Sequence, residues 1–134
     1  GWRIVAPSTP FDYVGLMNSA LLCEDPVMMI EHVGLYGNKG DCPEDDLDYF
    51  IPLGKAKVVK PGSEFTVLTY LTQVSQAVSV AREMGIDAEV IDLRSLDRAG
   101  IDWATIEASV RKTNHVVMLV MNCSDACLIS SITR

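Results

Sequence analysis

Val116-Val117-Met118-Leu119-Val120 is an uninterrupted apolar run without the polar alternation of a half-exposed strand. It predicts a buried strand covered on both faces, as in parallel sheets flanked by helices. Two earlier segments extend the theme. Phe65-Thr66-Val67-Leu68-Thr69 is strand-like, and residues 86–93 give another strand. Between these two, Val74, Ala77, Val78, Ala81 and Met84 recur at helical spacing, with Gly85 as terminator. Asp102 caps a second helix carrying Trp103, Ile106 and Val110. Arg111 and Lys112 complement its carboxyl-end dipole, and Asn114 closes it. A β-α-β-α-β order with short loops implies right-handed crossovers, so this half predicts an α/β fold with a Rossmann-like parallel sheet.

The first third repeats the pattern once. Ile4-Val5-Ala6 is a short strand ended by Pro7. Thr9 then stands as N-cap, Pro10 at the first helical position and Asp12 in the first turn. Tyr13, Leu16, Met17, Ala20 and Leu21 form the apolar face, Glu24-Asp25-Pro26 stops the helix, and Val27-Met28-Met29-Ile30 predicts a strand buried on both faces. From residue 34 to 52, glycines, prolines and the acidic Asp41, Glu44, Asp45, Asp46 and Asp48 interrupt every period. Their spacing matches no EF-hand loop, and the segment reads as a solvated connector.

Composition excludes several functions. Hydrophobic residues make up 49% of the 134 residues and charged residues 22%, the balance of a globular chain. With 11 Lys+Arg against 18 Asp+Glu the net charge is −7, so nucleic acid is repelled. No apolar run approaches the ~20 residues of a membrane span, and no secretory leader is visible. Cys23, Cys42, Cys123 and Cys127 form no CxxC pair, and with only His32 and His115 a zinc site lacks ligand spacing. Free cysteines of this kind suit a reducing, cytoplasmic compartment. Neither a dinucleotide turn nor a P-loop occurs, and neither histidine has a nucleophile elbow beside it.

Two places at the carboxyl ends of predicted strands stand out, because α/β sheets bind ligands there. Glu31 and His32 follow the strand at residues 27–30. Arg94 follows the middle strand of the second half, where it can clamp an anion or pair across an interface.

Taken together, Val5-Ala6-Pro7-Ser8-Thr9-Pro10, Asp12, Gly15-Leu16, Asp25-Pro26-Val27, Glu31-His32, Leu35-Tyr36-Gly37, Ile51-Pro52-Leu53-Gly54-Lys55-Ala56, Ile91-Asp92-Leu93-Arg94-Ser95-Leu96 and residues 106–115 carry a family resemblance. The chain resembles the β subunit of thiamine-diphosphate-dependent 2-oxo acid dehydrogenases, the pyruvate dehydrogenase type in particular, over about residues 1–120. The resemblance implies the end of a pyrimidine-binding domain over 1–37, a linker over 38–50, and a truncated transketolase-type C-terminal domain over 51–134. It also implies association with an α-type subunit. The activating glutamate and active-site histidine of relatives lie upstream of Gly1, and Gly40-Asp41 is followed by Cys42, not by the glycine of the magnesium-diphosphate motif.

On this resemblance thiamine diphosphate and magnesium belong to the parent family. The chain alone is expected to bind neither and to be inactive, as a fragment or as a stand-alone non-catalytic interaction module. Some relatives bind potassium through carbonyls that fall on Ala20, Leu21, Cys23 and Asp25. Glu31, His32, Tyr36 and Arg94 are the interface or crevice candidates. After Val120 the sequence departs from relatives, and an open sheet edge or the apolar tail is expected to drive self-association.

Overall fold

Thr9 and Pro10 set the first helix where capping chemistry places it. In the computed structural model, which describes residues 1–43 and 45–120, β1 (Arg3–Val5) leads into α1 (Pro10–Leu21). The Thr9 hydroxyl accepts from the Asp12 N–H at 3.1 Å. The chain returns as β2 (Val27–Met29), parallel to β1 with Ile4 opposite Met28.

Two sequence expectations need correction here. Of the predicted apolar face of α1 only Leu16 is buried; the inward residues are Asp12, Gly15 and Leu16, while Tyr13 and Leu21 are exposed. The helix is rotated because its inner face receives Ile51 and Tyr49 from the connector, which approach so closely that a Cβ on Gly15 would lie 2.6 Å from Ile51 Cγ1. The second correction concerns β2. It is not covered on both faces: this sheet has two strands, and Met28 is exposed.

The second sheet has the order β3-β5-β4-β6. Its elements are β3 (Lys57–Lys60), β4 (Phe65–Thr69), α2 (Thr72–Glu83), β5 (Ala88–Asp92), α3 (Trp103–Thr113) and β6 (Val116–Met118). β4 runs parallel to both β5 and β6, confirming the α/β reading. Adjacent residues of the two central strands point to opposite faces. Val67 and Val90 pack with Ala77 and Ala81 of α2, whereas Leu68 and Ile91 pack with Ile106 of α3. Gly85 ends α2 at φ +65° and Asn114 ends α3 in the left-handed region.

β3 adds an antiparallel edge to these parallel strands by pairing with β5. In Lys57-Val58-Val59-Lys60 two valines between lysines are too short an apolar run to mark a strand. Its flanking lysines suit an edge, where charge discourages further pairing. β6 is also corrected: Val116 and Val117 are exposed, because the strand lies at the other end of the sheet. The segment 121–134, on which the truncation and self-association expectations rest, lies outside the described residues.

The two sheets are joined. Val5 bridges Ser95, Ala6 N donates to Arg94 O at 2.8 Å, and Leu96 N donates to Ile4 O at 2.9 Å. Val5, Leu16 and Ile51 form a third buried cluster. The acidic connector residues Asp41, Asp45, Asp46 and Asp48 are exposed as expected. The stretch that follows is held down. Asn18 donates to the carbonyls of Leu47 and Tyr49, and the Tyr49 ring stacks on Phe11 with centroids 4.5 Å apart.

Candidate functional site

The carboxyl ends of β1 and β2 and the amino end of α1 enclose a cleft of about 360 Å³. Its apolar walls come from Pro7, Pro10, Val14 and Leu35, and its polar groups from Tyr13, Glu31, His32 and Tyr36. Glu31, His32 and Tyr36, three of the sequence candidates, all line this one cleft. A 3-10 turn over Val33–Leu35 brings Tyr36 back toward Glu31. His32 caps that turn, its Nδ1 accepting from the Gly34 N–H at 3.0 Å. This bond assigns the ring proton of a neutral His32 to Nε2.

Glu31 is the electrostatic centre of the cleft. The Tyr36 hydroxyl donates to Glu31 Oε2 at 2.6 Å. Hydrogen bonds from Tyr36 and then Tyr13 hold the Glu31 carboxyl below the usual carboxylate range, and the carboxylate in turn raises both phenols. Tyr13, absent from the sequence candidates, reaches the site because α1 is rotated. Its signal was a tyrosine in the first turn of a helix that follows a strand end.

Arg94 goes elsewhere. It does not line the cleft: it is buried at φ +56°, and its guanidinium pairs with the buried Asp12 of α1. The pair lies within the chain, between the loop after β5 and the first turn of α1. Asp92 is beside it: burial pushes its carboxyl up to about 6, and Asp12 adds to the shift, while the Ser8 hydroxyl and the Arg94 N–H pull it down. Ser8 Oγ, Asp92 Oδ2 and Arg94 Nε are buried without a well-formed hydrogen bond.

The proposed potassium turn closes α1. The Ala20 carbonyl accepts from the Cys23 N–H at 3.2 Å and from the Leu22 N–H, so both its lone pairs are engaged. His115 is exposed, its Nδ1 3.1 Å from the Thr113 carbonyl oxygen at the end of α3. Among the described residues no group of three or more His, Cys, Asp or Glu side chains could hold a metal ion, and no helix is long and apolar enough to cross a membrane.

Comparison with known proteins agrees with this architecture. The chain is 48% identical over 126 residues to the pyruvate dehydrogenase E1 component subunit beta of Chlorokybus atmophyticus, covering 92% of this chain and 36% of that protein. It is 41% identical over 123 residues to the protein of the same name from Bacillus subtilis, covering 89% and 37%. The chain therefore spans a little over a third of the length of these curated relatives, and the resemblance to pyruvate dehydrogenase-type β subunits is borne out. A split gene transketolase, solved as an inactive beta4 tetramer, shares the fold with a TM-score of 0.68 at 22% identity, covering 87% of this chain and 38% of that one. Residues 54–133, the whole second sheet with both its helices, match the transketolase C-terminal domain, and the chain belongs to that family.

Proposed function

We propose that the chain is a segment of the β subunit of a thiamine-diphosphate-dependent 2-oxo acid dehydrogenase of the pyruvate type, that it contributes assembly surface, and that it does not catalyse alone. The observation carrying this reading is the 48% identity spread over 92% of the chain. Residues 1–37 are then the end of a pyrimidine-binding domain, 38–50 the linker and 51–134 the C-terminal domain. When bound in the parent enzyme, thiamine diphosphate would supply the electron sink that 2-oxo acid decarboxylation needs. This chain's residues are assigned no step on the cofactor. A reducing, cytoplasmic compartment is part of the proposal, supported by the free Cys23 and Cys42.

A second reading, a stand-alone interaction module of the same family, is favoured by one observation. The Arg94–Asp12 pair and the Val5–Ser95 bridge tie the two sheets together without help from another chain. One experiment separates the readings. The chain is mixed with an α-type subunit and the missing upstream part of a β subunit, and 2-oxo acid decarboxylation is followed with an artificial electron acceptor. The first reading expects activity in the full mixture and none from the chain alone. Robust decarboxylation by the chain alone would overturn both readings. A complex that forms with unchanged, null activity supports the module.

A further inference from the structure

Glu31 is an ionised, exposed carboxylate set in a cleft whose walls are apolar or aromatic, and no lysine or arginine lines that cleft. Two phenols satisfy part of the carboxylate, which accepts about four hydrogen bonds, so acceptor capacity is left facing the cleft. A neutral occupant would strip water from this charge and return nothing, at a cost. An anion would meet like charge. The amino end of α1 also borders the cleft and on its own would favour an anion, but Thr9 caps it and Asp12 already supplies a carboxylate in its first turn.

A cation with an apolar stem meets each of these conditions. Pro7, Pro10 and Leu35 would cover the methylenes, and the Tyr13 and Tyr36 rings offer aromatic surface to the charged head. Guanidinium suits the site better than ammonium. It is planar, it stacks on aromatic faces, and its fork engages a carboxylate in two parallel bonds. The Nε2–H of His32 adds a donor for a backbone carbonyl of the incoming chain. The −7 net charge adds a general attraction for a basic segment.

We propose that this cleft is a socket for an arginine side chain of a partner polypeptide, with the guanidinium paired to Glu31 between Tyr13 and Tyr36. The proposal rests on the reading that the chain contributes assembly surface, and it names the kind of group that surface accepts.

The test is a solution NMR titration of the whole chain with N-acetyl-arginine amide, and in parallel with N-acetyl-norleucine amide. Saturable amide shifts over residues 31–36 are expected with the arginine probe only. Glu31→Gln should weaken binding about tenfold, the loss of one charge-assisted pair. Because Glu31 and Tyr36 are both exposed, Glu31→Gln and Tyr36→Leu should fold normally, and the second should also weaken the probe. No saturable binding, equal shifts from norleucine, or shifts centred on the acidic residues 41–48 would each overturn the socket. Light scattering of the chain mixed with an α-type subunit is read separately. Probe binding without a complex keeps the socket and removes the assembly reading, whereas a complex unaffected by Glu31→Gln, with no probe binding, does the reverse.

Discussion

Arg94 and Asp12, 82 positions apart in sequence, form a buried ion pair that fastens the loop after β5 to the first turn of α1. The pair joins the backbone bonds of Ala6 and Leu96 in linking the two sheets, and each partner is nearly inaccessible to water. Removing one member of such a pair strands the other charge, which typically costs about 3–5 kcal/mol. Arg94→Met should therefore lower stability in urea denaturation by about that much. Asp12→Leu combined with Arg94→Met should cost less than Arg94→Met alone, because no unpaired charge remains at either position. A double variant weaker than the sum of its parts would show that packing, and not charge, dominates there.

Asp92 gives the same junction a pH dependence. Its native pKa is about 6 against an ordinary value of 3.8, chiefly through burial. Between these values the native state holds a proton that the unfolded chain has lost, so stability falls as pH rises from about 4 to about 6. The full difference is about 3 kcal/mol. Glu89 and Asp102 act with the opposite sign, because their carboxyls are lowered in the fold and their contribution is lost as pH falls. The wild-type profile mixes these effects. Subtracting the Asp92→Asn profile from it should leave a component that declines with rising pH over that window.

The contrast between β4 and β6 shows which parts of the fold were legible in the sequence. Both segments read as buried strands, but of the two only β4 has helices on both faces and a strand on each side, and local composition does not say where a strand's neighbours are. Caps and terminators were legible because they act locally: Thr9, Gly85, Asp102 and Asn114 all stand where they were read. The face of α1 was not. Its direction is decided by Tyr49 and Ile51, more than 30 positions away, which displace Tyr13 outward into the cleft. Strand-end position points to Glu31, His32 and Arg94, and Tyr36 enters only with the family resemblance; in the fold Glu31, His32 and Tyr36 line one cleft, while Arg94 pairs elsewhere. From the sequence its partner, Asp12, reads as a helix first-turn residue that also carries part of the family resemblance, with nothing local to tie it to Arg94.

Tyr49 should be the residue that keeps the connector on the protein. Its ring stacks on Phe11 and its hydroxyl donates to the Phe11 carbonyl at 2.7 Å. Tyr49→Ala removes both contacts and leaves the carbonyl without that donor, a loss of roughly 2–3 kcal/mol. Tyr49→Phe keeps the stack and should cost roughly 1 kcal/mol. Limited proteolysis is the direct check. Cleavage within residues 39–48 should accelerate markedly in Tyr49→Ala and only slightly in Tyr49→Phe, with the second sheet left intact.

Two glycines in close quarters should respond differently to alanine, because different kinds of atom stand over them. A Cβ on Gly62 would overlap the Ala88 carbonyl carbon and lie 2.5 Å from Glu89 N, both backbone atoms of the central strand β5. Backbone in a paired strand cannot yield without breaking the ladder to β3 or β4. Gly62→Ala should cost more than about 3 kcal/mol, as overpacking against immobile atoms does. On Gly15 the same atom would press on Ile51 and Tyr49 side chains, which can rotate. Alanine also gains about 1 kcal/mol over glycine inside a helix. Gly15→Ala should therefore lose no more than about 1–2 kcal/mol net, with the Tyr49 contacts loosened. Urea denaturation of both variants, followed by circular dichroism, orders them directly. Equal losses would mean that the Ile51 contact is as rigid as a sheet backbone, making the connector part of the core that holds the two sheets together.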